Sequence, residues 1–503
     1  MRLFICIIIL ILYPGPDLNA IIPSGRPDNE LFYKTRRELY LRGCLEPAVS
    51  LFAPAMMNKE YSSDDFPDLP GLRSIYFNYL DRFEISPERF DFNLIIISHG
   101  YLNDDRQKIY PAMIPEIRAG VAGNLSIELA YRVDCGLVDD PLYTGKKWEN
   151  VAGYAELATL SYTKNNLSIS LGRRRNSWGT ANHGNSLMLA SASMPMDGIF
   201  IDYAPGRFLS FHSITAWLST ISERPQYATA EPSENRYFSA HAVRISPFSW
   251  CDFILKESIV YGGVGRRLEP AYVMPFLWYH AEQLNSSIDD NTFLGLESIV
   301  RISKKCAGYF EILVDDLQIE KKYESDNEPA ETGLIAGIDI FDFPASTSAL
   351  ELEYTRIANH TYNQIKPRNI YIHLGYPIGN PEGPDHESLN LNYTYHFSKN
   401  FLAELSLYLT RRGEGRLGDE WSSPWEDNPG YREKFPSGVV EKARGGSLAA
   451  YFHKNALFQS KLLFKVADIN NDDNIPGKDI TSWEIGFEII YNFPKLSWRV
   501  GDG

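Results

Sequence analysis

The sequence predicts an all-β protein: a transmembrane antiparallel β-barrel of about eighteen strands with a small N-terminal helical subdomain. Three observations carry that expectation. They are a secretory leader, a hydrophobic period that changes to two near residue 89, and connections that alternate between tight and long.

The leader comes first in the chain. Arg2 precedes an apolar run from Leu3 to Tyr13, and Leu18-Asn19-Ala20 supplies a small residue at a plausible cleavage point. This is the charged, apolar, small-residue layout of a secretory signal over residues 1–20. The run is too short to cross a bilayer as a helix, which takes ~20 residues. Cys6 lies inside the run, so no cysteine stands at the cut to take a lipid.

Residues 21–88 read as a small helical subdomain. Leu31, Phe32, Thr35, Leu39 and Leu41 recur among charged residues between Asp28, a possible N-cap, and Gly43, a helix stop. A second helix is expected over 72–83, where Leu72, Ile75, Tyr76, Tyr79, Leu80 and Phe83 approach helical spacing.

From residue 89 to 493 the pattern is that of strands. Ser388 to Phe397 alternates polar and apolar throughout. Ala349 to Arg356 sets Leu350, Leu352 and Tyr354 against Glu351, Glu353 and Thr355. Side chains alternate across a strand, so each such segment separates an apolar face from a wet one. Eighteen segments fit: 89–99, 114–122, 125–134, 153–163, 167–174, 198–204, 208–219, 236–246, 251–262, 292–302, 307–319, 333–342, 348–358, 387–397, 400–411, 446–453, 457–468 and 483–493. The even-numbered connections are then tight, as at Gly123-Asn124 and Ser398-Lys399, and the odd-numbered ones long. A soluble sandwich has no reason for that asymmetry, whereas an outer-membrane barrel has short periplasmic turns and long external loops. The last strand puts Trp483, Ile485, Phe487, Ile489, Tyr491 and Phe493 on one face. It looks like the closing strand read by outer-membrane assembly machinery, although a tail, 494–503, follows it.

Composition narrows function. The net charge is −15, with 64 acidic against 49 basic residues, which argues against a nucleic-acid partner. Aromatics make up 13%, which fits sheets and a membrane interface in contact with lipid. Cys44, Cys135, Cys251 and Cys306 are widely spaced without a CxxC. One or two disulfides are allowed and no pairing is legible. No phosphate loop, nucleophile elbow or metal-spaced histidine set is present, so neither catalytic residues, a metal nor a cofactor is expected.

The long loops hold the chemistry. The loop 412–445 carries Arg416, Trp421, Trp425 and Tyr431, and 175–197 carries Trp178 and His183. Sugars present apolar ring faces flanked by hydroxyls, and a surface that binds them wants aromatic platforms beside polar groups. Arg adds an affinity for carboxylates of acidic polysaccharides. The same rings can also simply pack the loops together.

A series of short patches resembles the Wzi family of capsule assembly proteins. Ile22-Pro23-Ser24-Gly25 leads into a helix ending Leu41-Arg42-Gly43. Leu171-Gly172-Arg173 is followed by Trp178-Gly179 and Asn185-Ser186-Leu187-Met188-Leu189. Asp315-Asp316-Leu317, Leu374-Gly375 and Gly383-Pro384-Asp385 then precede the strand at Leu389. The resemblance implies an eighteen-strand outer-membrane barrel with a periplasmic helical bundle. It implies a non-enzymatic surface lectin that helps attach capsular or extracellular polysaccharide. The C-terminal tail departs from the family pattern, and the loops do not align in detail, so no ligand residue carries over. Loops 175–197, 263–291, 359–386 and 412–445 are expected to hold glycan. The competing expectation is a porin or substrate-specific channel, since a barrel this wide has room for an aqueous lumen.

Overall fold

The computed structural model describes residues 30–45, 72, 75–76, 88–103, 107–122, 124–221, 235–286, 290–316, 328–428 and 430–499. The leader and most of the second expected helix lie outside the described residues. Eighteen strands form the wall: β1 (Arg89–Leu102), β2 (Gln107–Ala122), β3 (Leu125–Asp134), β4 (Val151–Lys164), β5 (Leu167–Arg174), β6 (Met196–Tyr203), β7 (Leu209–Leu218), β8 (Asn235–Phe248), β9 (Cys251–Gly263), β10 (Asn291–Ser303), β11 (Cys306–Asp316), β12 (Glu331–Phe341), β13 (Ser348–Ile357), β14 (His386–Ser398), β15 (Phe401–Arg412), β16 (Glu441–Lys454), β17 (Phe458–Asn470) and β18 (Ile480–Asn492). β18 pairs antiparallel with β1, Asn492 opposite Ile95 and Ile485 opposite Leu102, so the sheet has closed on itself. Closure leaves no row of unpaired backbone groups in lipid. Part of the tail is also a strand: β19 (Leu496–Arg499) pairs with Arg89–Phe92 of β1 and lengthens that seam.

The start of β2 differs from expectation. β2 begins at Gln107 rather than 114, which makes the first connection tight although its position in the series calls for a long one. The expected start at 114 leaves Pro111 outside the strand. Pro111 and Pro115 instead sit within the ladder to β1, opposite Ser98 and Leu94, while the ladder to β3 omits Ile114 and Pro115. A proline lacks an N–H, so it fits a strand only where no partner requires that donor. Cys44, Cys135, Cys251 and Cys306, whose pairing the sequence leaves open, are all free thiols.

The outer face is apolar. Leu405, Leu407, Leu409, Leu448, Leu462, Phe464, Val466 and Ile485 are exposed on successive strands. Exposed Tyr203, Phe208, Phe248, Trp250, Phe343, Phe397, Phe493 and Trp498 gather at the tight-turn end. A band of aliphatic side chains edged by aromatics matches hydrocarbon and its interface.

The lumen is packed. α1 (Glu30–Leu41) lies inside the barrel near the tight turns, and it is buried almost all round, as a helix surrounded by protein must be. Its end is sealed in a Schellman arrangement: Gly43 adopts φ +74°, its N–H bonds Tyr40 O and the Cys44 N–H bonds Leu39 O, both at 2.9 Å. Its charges meet the wall. Lys461 reaches Glu30 at 3.1 Å, Lys34 reaches Glu404 at 2.9 Å, and Arg42 reaches Asp342 at 3.1 Å. Arg37 bonds both Asp339 and Glu351.

The β5–β6 loop folds inward onto this helix. Inner-wall acids hold its backbone: Glu297 accepts from Thr180 N at 2.9 Å, Glu353 from Asn182 N at 2.9 Å, and Glu311 from Leu187 N at 3.2 Å. Small wall residues make room for it. A Cβ at Gly333 would stand 2.9 Å from Leu187 Cδ2. The β13–β14 loop closes over the first, with Tyr362 and Tyr371 stacked at 5.6 Å and bonded to Leu187 O and Met188 O. Helix, loops and inner wall thus share one hydrophobic core within the barrel. Alternation in Ala349 to Arg356 is explained at the same stroke: Glu351 and Glu353 face this lumen, and Leu352 faces lipid.

Candidate functional site

The open end of the barrel is built by the β13–β14, β15–β16 and β17–β18 connections. Asp385, buried just before β14, ties two of them together. It accepts from Ser437 N at 2.9 Å, Ser437 Oγ at 2.5 Å and Gly415 N at 3.0 Å. Gly413 must be glycine for this approach, because a Cβ there would lie 1.9 Å from Asp385 Oδ2. Arg412 pairs with Glu382 at 2.5 Å, and Arg356 stacks over Phe435 at 4.0 Å. Loops held at so many points present a fixed surface, which lowers the ordering cost of binding.

On that frame sits an aromatic cluster. α2 (Pro270–Val273) and α3 (Tyr279–Ser286) belong to another loop, and α4 (Pro424–Asp427) carries Trp425. Trp421 and Trp425 lie 6.2 Å apart at 88°, and Tyr431 lies 6.2 Å from Trp425. His360 stands between the two indoles, 5.0 Å from Trp421 and 5.4 Å from Trp425. Beside the rings, Asn359 Nδ2 donates to Glu433 Oε1 at 2.8 Å, and His360 Nε2 is 3.4 Å from the same oxygen. Trp425 is only 4% exposed and acts as the base of the cluster, while Trp421 and Tyr431 are half-buried at its edge. Edge rings next to an amide and a carboxylate can offer a stacking face and hydroxyl partners together.

The six residues singled out from sequence separate into three groups. Trp421, Trp425 and Tyr431 come together at the mouth. Arg416 is near them, but its guanidinium is consumed by loop bracing: Nη1 donates to Gly413 O at 2.6 Å and Gly415 O at 3.1 Å, and Nη2 bonds Asn474. It shapes the loop and offers no free fork for a carboxylate. Trp178 and His183 are elsewhere. Trp178 is 2% exposed in the lumen core, where its ring packs instead of stacking on a ligand. His183 sits in the same inward-folded loop beside Glu30, Lys34, Glu404 and Lys461, in the lumen rather than at the mouth. The loop 175–197 is therefore part of the plug. Asn359, His360 and Glu433 were missed; a polar pair just beyond an apolar strand end is too common to single out. The expected glycan loop 263–291 also leaves the mouth, turning over the outer wall.

These features define a class: an outer-membrane β-barrel with a filled lumen and a rigid aromatic surface at its long-loop end. The chain belongs to the Wzi capsule assembly family, whose model, described as capsule assembly protein Wzi, matches residues 113–482. It resides in the outer membrane. Among solved structures it is similar to Wzi of Escherichia coli, described as an outer-membrane protein involved in group 1 capsule assembly and a carbohydrate-binding β-barrel. The two are 12% identical, with 91% of this chain and 97% of that chain covered and a TM-score of 0.60. Pseudomonas aeruginosa OprD (11% identity, 82% and 97% covered) and OpdK (10% identity, 82% and 100% covered) each give a TM-score of 0.48. No curated protein matches the chain in sequence.

Proposed function

We propose that this protein is a lectin-like component of capsule assembly that binds and organises capsular or extracellular polysaccharide at the cell surface, without catalysis. The observation that carries the reading is the cluster of Trp421, Trp425, Tyr431 and His360 set beside Asn359 and Glu433 at the braced mouth. The E. coli relative's description as carbohydrate-binding supports it. Trp421 and Tyr431 would stack on sugar rings while Asn359 and Glu433 bond their hydroxyls. Glycan sits outside the filled lumen, so the barrel serves as a platform and not as a conduit. The helical segment 21–88 remains on the periplasmic side, with α1 as its inserted part. The β18 strand would be the handle for the assembly machinery.

The test is deletion of the gene in its native host, with cell-attached and released polysaccharide scored separately. The expected result is a shift from attached to released. Unchanged attachment in a capsulated strain would overturn the proposal. A large, steady conductance in planar bilayers would favour a channel instead.

A further inference from the structure

The β9–β10 segment does not reach outward from the mouth, and its chemistry is reversed with respect to an external loop. Strand alternation fixes the faces. Phe238, Ala240 and Ala242 of β8 and Ile254 and Val260 of β9 point into the lumen core. Tyr237, Ser239 and His241, and Glu257, Ile259 and Tyr261, therefore point out of the barrel. Cross-strand partners share a face, so Ser213, His241 and Glu257 form one outward row, and Thr215, Ser239, Ile259 and Thr292 the next. This is a polar patch on the wall that should meet lipid. Glu257 stands about 15 Å above the start of β9, given ~3.3 Å per residue and a ~40° tilt, inside an apolar band ~25 Å tall.

The segment between β9 and β10 covers that patch. Glu257, 0% exposed, accepts from Tyr279 N and His280 N at the start of α3, both at 2.9 Å, and lies 3.1 Å from His241 Nε2. Thr292 Oγ1 donates to Gln283 at 2.8 Å and lies 3.2 Å from His280 Nδ1. Tyr272 closes on Tyr261 at 4.7 Å, and Phe276 on outward Phe211 at 5.1 Å. Arg266 pairs with Asp290 at 2.5 Å and fastens the two ends of the segment. The far side is apolar: Met274 and Trp278 are exposed, Phe276 is 77% exposed and Leu284 76%. Directly below, Leu255 and Leu296 continue the same surface as exposed members of the lipid belt.

We propose that this lobe is embedded in the outer leaflet, where it covers the polar outer wall and presents Met274, Phe276, Trp278 and Leu284 to lipid acyl chains. The occupant is lipid because Met274, Phe276, Trp278 and Leu284 carry no charge and stand above Leu255 and Leu296 of the barrel's lipid-facing belt. The lobe thereby substitutes protein hydrogen bonds for lipid at Glu257 and His241, which hydrocarbon cannot solvate. The inference stands on the membrane barrel and not on the glycan reading.

A benzophenone amino acid placed at position 276 or 284 of the full chain, in native outer membranes, tests it. Position 426, on α4 at the mouth, is the control. Expected are lipid adducts at 276 and 284 well above those at 426. A dimer-sized adduct, or lipid capture no greater than at 426, would overturn the proposal. If either variant assembles poorly, Phe276→Cys and Leu284→Cys are compared with Glu426→Cys for labelling by a membrane-impermeant maleimide on whole cells. Protection at 276 and 284 supports embedding; labelling equal to that at 426 sinks it.

Discussion

The Arg37 guanidinium and the Asp339 carboxylate meet prong to prong, Nη1 to Oδ1 at 3.0 Å and Nη2 to Oδ2 at 3.2 Å, across 302 residues of sequence. Glu351 shares Nη1 at 3.1 Å, and all three groups are buried. One helix cation thus bridges two wall acids that the folded barrel brings together. Arg37→Ala strands both buried acids without their partner, which should cost about 3–5 kcal/mol, the usual penalty for breaking one side of a buried pair. The expected outcome is a lower temperature for heat-modified gel mobility and new protease cleavage within 30–45. Undiminished protection of that segment would show the helix is held by its apolar contacts alone.

Trp421 and Trp425 should respond differently to removal. Trp421→Ala takes away a half-exposed ring worth about 0.5–1.5 kcal/mol of stacking, so polysaccharide binding should weaken up to ~10-fold with barrel stability unchanged. Trp425→Ala empties the base of the cluster, and a buried ring of that size costs about 3–5 kcal/mol. Binding and the order of 413–440 should then fail together. Calorimetric titration and hydrogen exchange over that loop distinguish the two.

Arg416 is predicted to act as a brace. Arg416→Ala should raise hydrogen exchange at 413–419 and weaken glycan binding equally for neutral and acidic polymers. Selective loss for acidic polymers alone would mean the guanidinium contacts ligand directly.

Arg236 pins the plug to β8 by donating to the carbonyls of Arg368 at 2.6 Å, Ser219 at 3.1 Å and Ile372 at 3.2 Å, and to that of Ile370. Leaving such buried carbonyls unpaired costs about 1–3 kcal/mol each. Arg236→Ala, combined with Tyr371→Ala to remove a ring packed 4.3 Å from Phe293, should loosen the β13–β14 loop. Brief conductance events in planar bilayers, absent from the parent protein, are expected. Silence in the double variant would place the seal elsewhere in the lumen.

Much of the wall was legible because it is governed by short-range rules. Period-two alternation in Ala349 to Arg356 and in the closing strand follows from the pleat, and tight turns such as Ser398-Lys399 declare antiparallel neighbours. The start of β2 was not legible, because whether Pro111 is tolerated depends on which neighbour needs its missing donor. Of the site, Trp421, Trp425 and Tyr431 were visible by type, whereas the roles of Arg416, Trp178 and His360 were not. A side chain's job depends on which partners surround it, and those partners lie far away in sequence.

The sequence by itself determined that the chain closes into an outer-membrane barrel, because local periodicity and turn length suffice to set strand, face and neighbour. Only the tertiary structure decided that the loop around Trp178 turns inward onto α1, that the β9–β10 segment covers Glu257 on the outer wall, and that Trp421 and Trp425 meet at His360. Each of those outcomes turns on where a charged or aromatic side chain finds its partner across the barrel, and no periodicity along the chain records that.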